Sequence, residues 1–166
     1  MKILIRSLVL VALTAWVGAE FFFPVLATVT FHTLTPDTHT AGIIVGTCLR
    51  TLHYIGLGTG LLALVLFAVS PNFRVWSAER TTTPMLVLIV MLALTVLSQW
   101  GVTPRMEIDR INAGGAINLL APDAPVRVHF EMLHKVSEGI EGSVLFCGIL
   151  TLVLIARMES EETHEE

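Results

Sequence analysis

The sequence predicts an all-α integral membrane protein, a four-helix bundle in which each helix crosses the bilayer. Hydrophobic residues make up 54% of the 166 residues and charged residues 14%, against about 25% in a soluble domain. Mean hydropathy is +0.75. Four apolar runs each reach the ~20 residues that cross a bilayer. This composition excludes an ordinary soluble enzyme and a disordered chain, and no basic stripe supports nucleic-acid binding.

The four apolar runs predict an up-down-up-down arrangement in the lipid bilayer. They lie at 7–31, 41–69, 84–102 and 136–156. The first run begins like a signal peptide, with Lys2 and Arg6 ahead of an apolar stretch. It continues past the small residues at 17–19, from Phe21 to Leu26, so we expect a retained membrane anchor.

Two of the connections are short, and the third, at 103–135, is long enough to contain a helix. Pro104 directly after Thr103 is typical of a helix N-terminus with Thr103 as its cap. The glycine pair at 114–115 would end this short helix. Asp123 is expected to cap a further helix that begins next to it and runs unbroken into the fourth span.

Charge divides the chain into a membrane domain at 1–158 and an acidic tail at 159–166. The tail holds five of the fourteen acidic residues and is predicted to be solvated and disordered. Of the Lys and Arg outside the spans, five flank the end that carries the termini and four the other end. The Lys and Arg residues beside the first span usually have the largest effect on the orientation of a membrane protein. We therefore expect a multi-pass protein of the cell inner membrane with cytoplasmic termini.

Ionisable residues inside the apolar runs are the most informative feature of the sequence. A rise of 1.5 Å per residue places them roughly 15–26 Å along their helices, at one common level. They are Glu20, Arg50, His53, His134, Glu138 and Glu141. His134, Ser137, Glu138 and Glu141 also share one face of the fourth helix. Since an unpaired charge in lipid is costly, we expect Arg50 to contact at least one of the three carboxylates.

Short motifs along most of the chain resemble the transmembrane-protein-205-like family. They are Ala15-Trp16 through Phe31, Gly42, Leu52-His53-Tyr54, Thr103-Pro104-Arg105 and Phe130-x-x-Leu133-His134-x-x-Ser137. The resemblance implies a four-helix membrane domain without an assigned activity. It also implies that the polar positions of the family are His53, Pro104, Arg105, His134 and Ser137. Glu141 departs from the pattern, where an amide such as Asn is expected, and Glu20 is not one of its positions.

One functional hypothesis is a haem or metal site in the core of the bundle. His53 and His134 come from different helices at similar depth and could ligate the iron of a haem b. Arg50 or Arg105 would then hold a propionate.

The same two histidines could instead bind a Cu or Zn ion together with Glu138 or Glu141.

Two other hypotheses and a structural alternative stay open. Glu20, Glu138 and Glu141 could titrate along the path of a small ion- or proton-coupled transporter. The polar face could also meet a partner, in a homo-oligomer or as an accessory subunit of a larger membrane complex. The histidines could equally only hydrogen-bond between helices. No hydrolytic or phosphate-binding motif is present, so enzyme activity would need a cofactor.

Overall fold

The computed structural model describes residues 1–73 and 75–165, with side chains as far as residue 160. The α-helices are α1 (Lys2–Thr33), α2 (Thr38–Val69), α3 (Ala78–Val96), α4 (Thr103–Asn112) and α5 (Pro125–Glu165). A π-helix at Leu97–Val102 joins α3 to α4, and short 3-10 helices lie at Ser70–Phe73 and Ile117–Leu119. Four helical stretches are long and apolar enough to cross a membrane: Lys2–Thr33, Thr38–Phe73, Ala78–Asn112 and Pro125–Ser160. The predicted all-α membrane bundle is confirmed.

Side-chain caps fix the starts of two spans. Asp37 accepts a hydrogen bond from the backbone N–H of Thr40 at 3.0 Å and begins α2. Ser77 does the same for the N–H of Arg80 at 3.3 Å and begins α3. Each cap satisfies an N–H that the first helical turn leaves without a partner.

The segment after the third span contains the short helix that the sequence predicts, but its start differs. α4 ends before Gly114 and Gly115, whose φ angles of 69° and 108° suit glycine. Thr103 is not a cap, because the π-helix connects α3 to α4 without a break. Its buried hydroxyl forms no hydrogen bond.

α5 crosses the bundle as one helix, as the sequence predicts, and it extends beyond the apolar run at both ends. It begins at Pro125 rather than beside Asp123 and continues to Glu165. Glu159, which the sequence assigns to the solvated tail, contacts Arg6 at 3.0 Å and Trp76 at 3.2 Å. Glu159 therefore connects α5 to the start of α1 and to the segment that precedes α3. The side chains of 161–166 lie outside the described residues, and the solvated tail stays a prediction there.

The bundle packs α1 mainly against α2 and α3 mainly against α5. Trp16 of α1 is fully buried, and its ring lies directly against Gly56 and Gly60 of α2. A Cβ atom at Gly56 would stand 2.3 Å from Trp16 Nε1, and one at Gly60 2.5 Å from Trp16 Cζ3. Glycine at these two positions thus lets α1 and α2 approach closely at the level of the polar residues.

Candidate functional site

A buried group of polar side chains joins the centres of three spans. His53 of α2 is fully buried, and its Nε2 lies 3.0 Å from Glu141 Oε1 on α5. Its Nδ1 lies 2.8 Å from Gln99 Oε1, and Ser98 donates to Glu141 Oε1 at 2.7 Å. We call His53, Ser98, Gln99 and Glu141 the core cluster.

The π-helix at Leu97–Val102 explains how two consecutive residues reach this cluster. Successive side chains of an α-helix point about 100° apart, so neighbours rarely face the same point. In the wider π-turn, Ser98 contacts Glu141 while Gln99 contacts His53, and both residues are buried. Short π-helices inside longer helices occur frequently at functional sites, which makes this a site of interest.

The hydrogen bonds fix where protons of the cluster can reside. Because Gln99 Oε1 accepts, His53 Nδ1 carries a hydrogen. A second proton lies between His53 Nε2 and Glu141 Oε1: either histidine is an imidazolium beside a carboxylate, or a neutral histidine accepts from a protonated Glu141. His53 and Glu141 can therefore exchange one proton without moving their helices.

Glu20 of α1 is a second carboxylate at this depth and is only 3% exposed. Its Oε1 accepts a hydrogen bond from Trp16 Nε1 at 3.0 Å. No ion pair joins it to a Lys, Arg or His within the described part of the chain. Among the described residues, an ionised Glu20 therefore has no ion-pair partner, and His53 acts on it only through space.

Glu20 and Glu141 both line a cavity of about 670 Å³. Most of its wall is apolar, with Phe23, Phe31 and Leu49 among its lining. Its other lining residues are Pro24, Ala27, Thr28, Gly42, Val45, Gly46, Met106, Arg110, His134, Ser137, Glu138, Gly142 and Leu145. The second oxygen of Glu141, Oε2, is buried and has no hydrogen-bond partner. Two buried carboxylates thus belong to the lining of the cavity, and one of them, Glu141, keeps an oxygen without a hydrogen-bond partner.

Arg50 does not contact any of the three predicted carboxylates, and that expectation is wrong. It pairs with Glu107 of α4 at 3.8 Å, and its side chain is 45% exposed. Its long side chain carries the guanidinium away from the carboxylates in the core to Glu107 on α4, as the side chain of an Arg in a span often does.

Arg110 of α4 is the arginine that lines the cavity, and the sequence analysis did not single it out. Its guanidinium lies against Gly42 and Gly46, stacks over Phe130 at 5.3 Å, and pairs with Glu107 at 3.6 Å.

The structure separates the two histidines that the sequence pairs. His134 Nε2 lies 3.3 Å from Glu138 one turn along α5, and the two side chains are 54% and 66% exposed. His134 and Glu138 line the outer part of the cavity, and Ser137 is buried beside them. Arg105 is exposed on α4 and is not among the cavity residues.

The donor set does not favour a metal ion. Within the described residues, no group of three or more His, Cys, Asp or Glu side chains could hold one. Both ring nitrogens of His53 already have partners in the protein, so axial ligation of a haem would have to break one of these bonds. The shared level of Glu20, His53 and Glu141 is the part of the sequence prediction that the geometry reproduces.

A family described as a domain of unknown function (DUF4149) matches residues 11–108, more than half of the chain. The chain therefore belongs to that family. The match ends before α5, which supplies Glu141. Neither a curated protein nor a solved structure matches the chain.

Proposed function

We propose that this member of the DUF4149 family is a small membrane carrier that binds a proton or a cation between Glu20, His53 and Glu141. One observation supports this most: two buried carboxylates, Glu20 and Glu141, line one cavity, and among the described residues only Glu141 has a basic partner, His53. A buried ionised carboxylate without a partner is costly in lipid. The cluster is therefore stable only when a proton or another cation supplies the missing charge.

The core cluster also offers a route for moving a proton. A cation that enters the cavity favours ionised carboxylates, and the proton shared by His53 and Glu141 then leaves. After the cation has left the cavity, His53 and Glu141 can take up the next proton. Mutually exclusive occupation of one site by a proton and a cation is the minimum that a proton-coupled carrier needs.

Proton movement in proteoliposomes tests the proposal. Vesicles loaded with K⁺ and a trapped pH-sensitive dye receive an inside-negative membrane potential through valinomycin, with Na⁺, Li⁺ or tetramethylammonium outside. We expect proton movement above that of empty vesicles, lost in Glu20→Gln and Glu141→Gln. The matched control is Glu131→Gln, because Glu131 is an exposed carboxylate of α5 that pairs with Arg127 outside this cavity. Rates equal to those of empty vesicles under all three cations would refute the carrier.

Binding of haem, Cu or Zn stays a prediction with less geometric support. A visible spectrum and metal analysis of protein purified from membranes test it directly. A Soret band or stoichiometric metal, lost in His53→Ala and retained in His32→Ala, would favour it over the carrier. His32 is an exposed histidine at the end of α1 and makes a matched control.

Further parts of the proposal concern the setting of the protein. We propose an inner-membrane location with cytoplasmic termini, and kinship with the transmembrane-protein-205-like family. The motifs around His53 and Thr103 support that kinship. An oligomer or a partner subunit also stays a prediction. Chemical cross-linking in native membranes tests it.

A further inference from the structure

We propose that the ligand of the cavity is a monovalent organic ammonium ion with an apolar body. This inference rests on the proposed carrier, and it names the class of substrate. Three features of the cavity lead to it: the acceptors in its lining, its size and wall, and its balance of charge.

The two buried carboxylates that line the cavity, Glu20 and Glu141, offer hydrogen-bond acceptors. Glu141 Oε2 is buried without a partner, and Glu20 is nearly fully buried beside the same space. Pro24, which also lines the cavity, has no N–H, so the main-chain carbonyl of Glu20 lacks its usual helical donor. An ammonium group with several N–H donors matches such acceptors.

The size and wall of the cavity indicate an organic ligand. A bare or hydrated metal ion needs only a small part of about 670 Å³, which lies within the ~300–1,000 Å³ typical of organic ligand sites. Apolar and aromatic side chains form most of the wall, including Phe23, Phe31, Leu49 and Leu145. The apolar body of a ligand is stabilised by burial against such a wall, and the faces of the aromatic rings attract its cationic group.

The balance of charge indicates a single positive charge. Around the buried carboxylates, His53 pairs with Glu141. Elsewhere on the wall His134 pairs with Glu138, and Arg110 shares Glu107 with Arg50, so neither of these groups pairs with Glu20. Glu20 is the one carboxylate of the cavity left without a basic partner in the described residues. A ligand with one ammonium group neutralises it, whereas a divalent ligand would leave an excess positive charge in lipid.

Four probes with the same apolar body separate the chemical classes. They are phenylbutylammonium, phenylbutyltrimethylammonium, phenylbutanol and phenylbutyrate. Binding is measured by calorimetry on protein in nanodiscs, with empty nanodiscs subtracted to remove partition into lipid. We expect phenylbutylammonium to bind about tenfold more tightly than the other three, because it alone has both the charge and the N–H donors.

Two glycines of α5 provide a matched test of the site. A Cβ atom added at Gly142 or at Gly139 meets nothing within 4 Å, and both glycines are exposed, so both variants are expected to fold. Gly142 lines the cavity and Gly139 does not. We expect Gly142→Leu to weaken phenylbutylammonium binding about tenfold, and Gly139→Leu to leave it unchanged. Glu20→Gln should also remove the preference for the ammonium over the alcohol.

The outcomes distinguish this inference from the carrier itself. If the four probes bind alike, or if Gly142→Leu and Gly139→Leu behave alike, the substrate class is wrong even where proton movement is present. If phenylbutylammonium binds selectively but no proton moves, the ligand site stands and the carrier is wrong.

Discussion

Replacing Gly56 by Ala is expected to destabilise the bundle through a single contact. The new Cβ would stand 2.3 Å from Trp16 Nε1 and 2.5 Å from Trp16 Cε2. Non-bonded carbon atoms prefer about 3.5–4.0 Å, so the indole ring must move by more than about 1 Å. That movement stretches the 3.0 Å hydrogen bond from Trp16 Nε1 to Glu20, and overpacking of this kind costs about 1–3 kcal/mol.

Gly58→Ala is the matched control for this change. Gly58 lies two residues along the same helix, and a Cβ there meets nothing within 4 Å. Both variants gain the same helix propensity, about 1 kcal/mol in water, so the difference between them isolates the clash. We expect Gly56→Ala to have a free energy of unfolding about 1–3 kcal/mol below that of Gly58→Ala.

Reversible unfolding in mixed detergent micelles, followed by circular dichroism and tryptophan emission, measures this difference. A second comparison uses Trp16→Phe, which removes the atom nearest to the new methyl group. The cost of Gly56→Ala should then shrink, as a double-mutant cycle between neighbours requires. Equal stability of Gly56→Ala and Gly58→Ala would refute the packing described here.

Three further outcomes are expected. Ser98→Ala removes the hydrogen bond to Glu141 and should lower the unfolding free energy by about 1 kcal/mol in the same micelle assay. Hydrogen bonds from the side chain and the backbone N–H of Thr40 lower the pKa of the Asp37 carboxyl. The stabilisation by the ionised cap is therefore present at neutral pH and is lost as the pH falls through that lowered pKa. Asp37→Asn keeps the cap without the titration, and its unfolding should lose that pH dependence. In a chain without native cysteines, Cys at positions 35 and 77 should react with impermeant reagents from opposite sides, and reaction from one side would refute the topology.

The sequence predicts the four spans because the insertion of a helix into a bilayer depends mainly on its apolar composition and on a length that matches the hydrocarbon core. It also predicts the common level of Glu20, His53 and Glu141, since depth follows from counting residues at 1.5 Å each. It does not predict their partners, because contact depends on helix rotation. For this reason the sequence could not foresee that His53 contacts Glu141 whereas His134 contacts Glu138.

Arg50 shows a second limit of counting along helices. The length of its side chain lets the charge lie several ångströms from its Cα atom, so backbone depth does not fix where the guanidinium ends. It reaches Glu107, which belongs to the segment after the third span. The more useful signal in that region is Arg110, whose place depends on the close approach that Gly42 and Gly46 permit.

The π-helix is the feature that sequence alone could not place, and it connects the fold to the proposed chemistry. A polar pair, Ser98-Gln99, inside an apolar run is visible in the sequence, but regular α-geometry would direct the two side chains about 100° apart. The π-turn brings both side chains to His53 and Glu141, although its backbone conformation is less favourable than that of an α-helix. Simple packing of the bundle would need neither polar residue here. The proposed carrier accounts for both, because it needs a cluster that holds a proton in a defined place beside a cavity that accepts a cation.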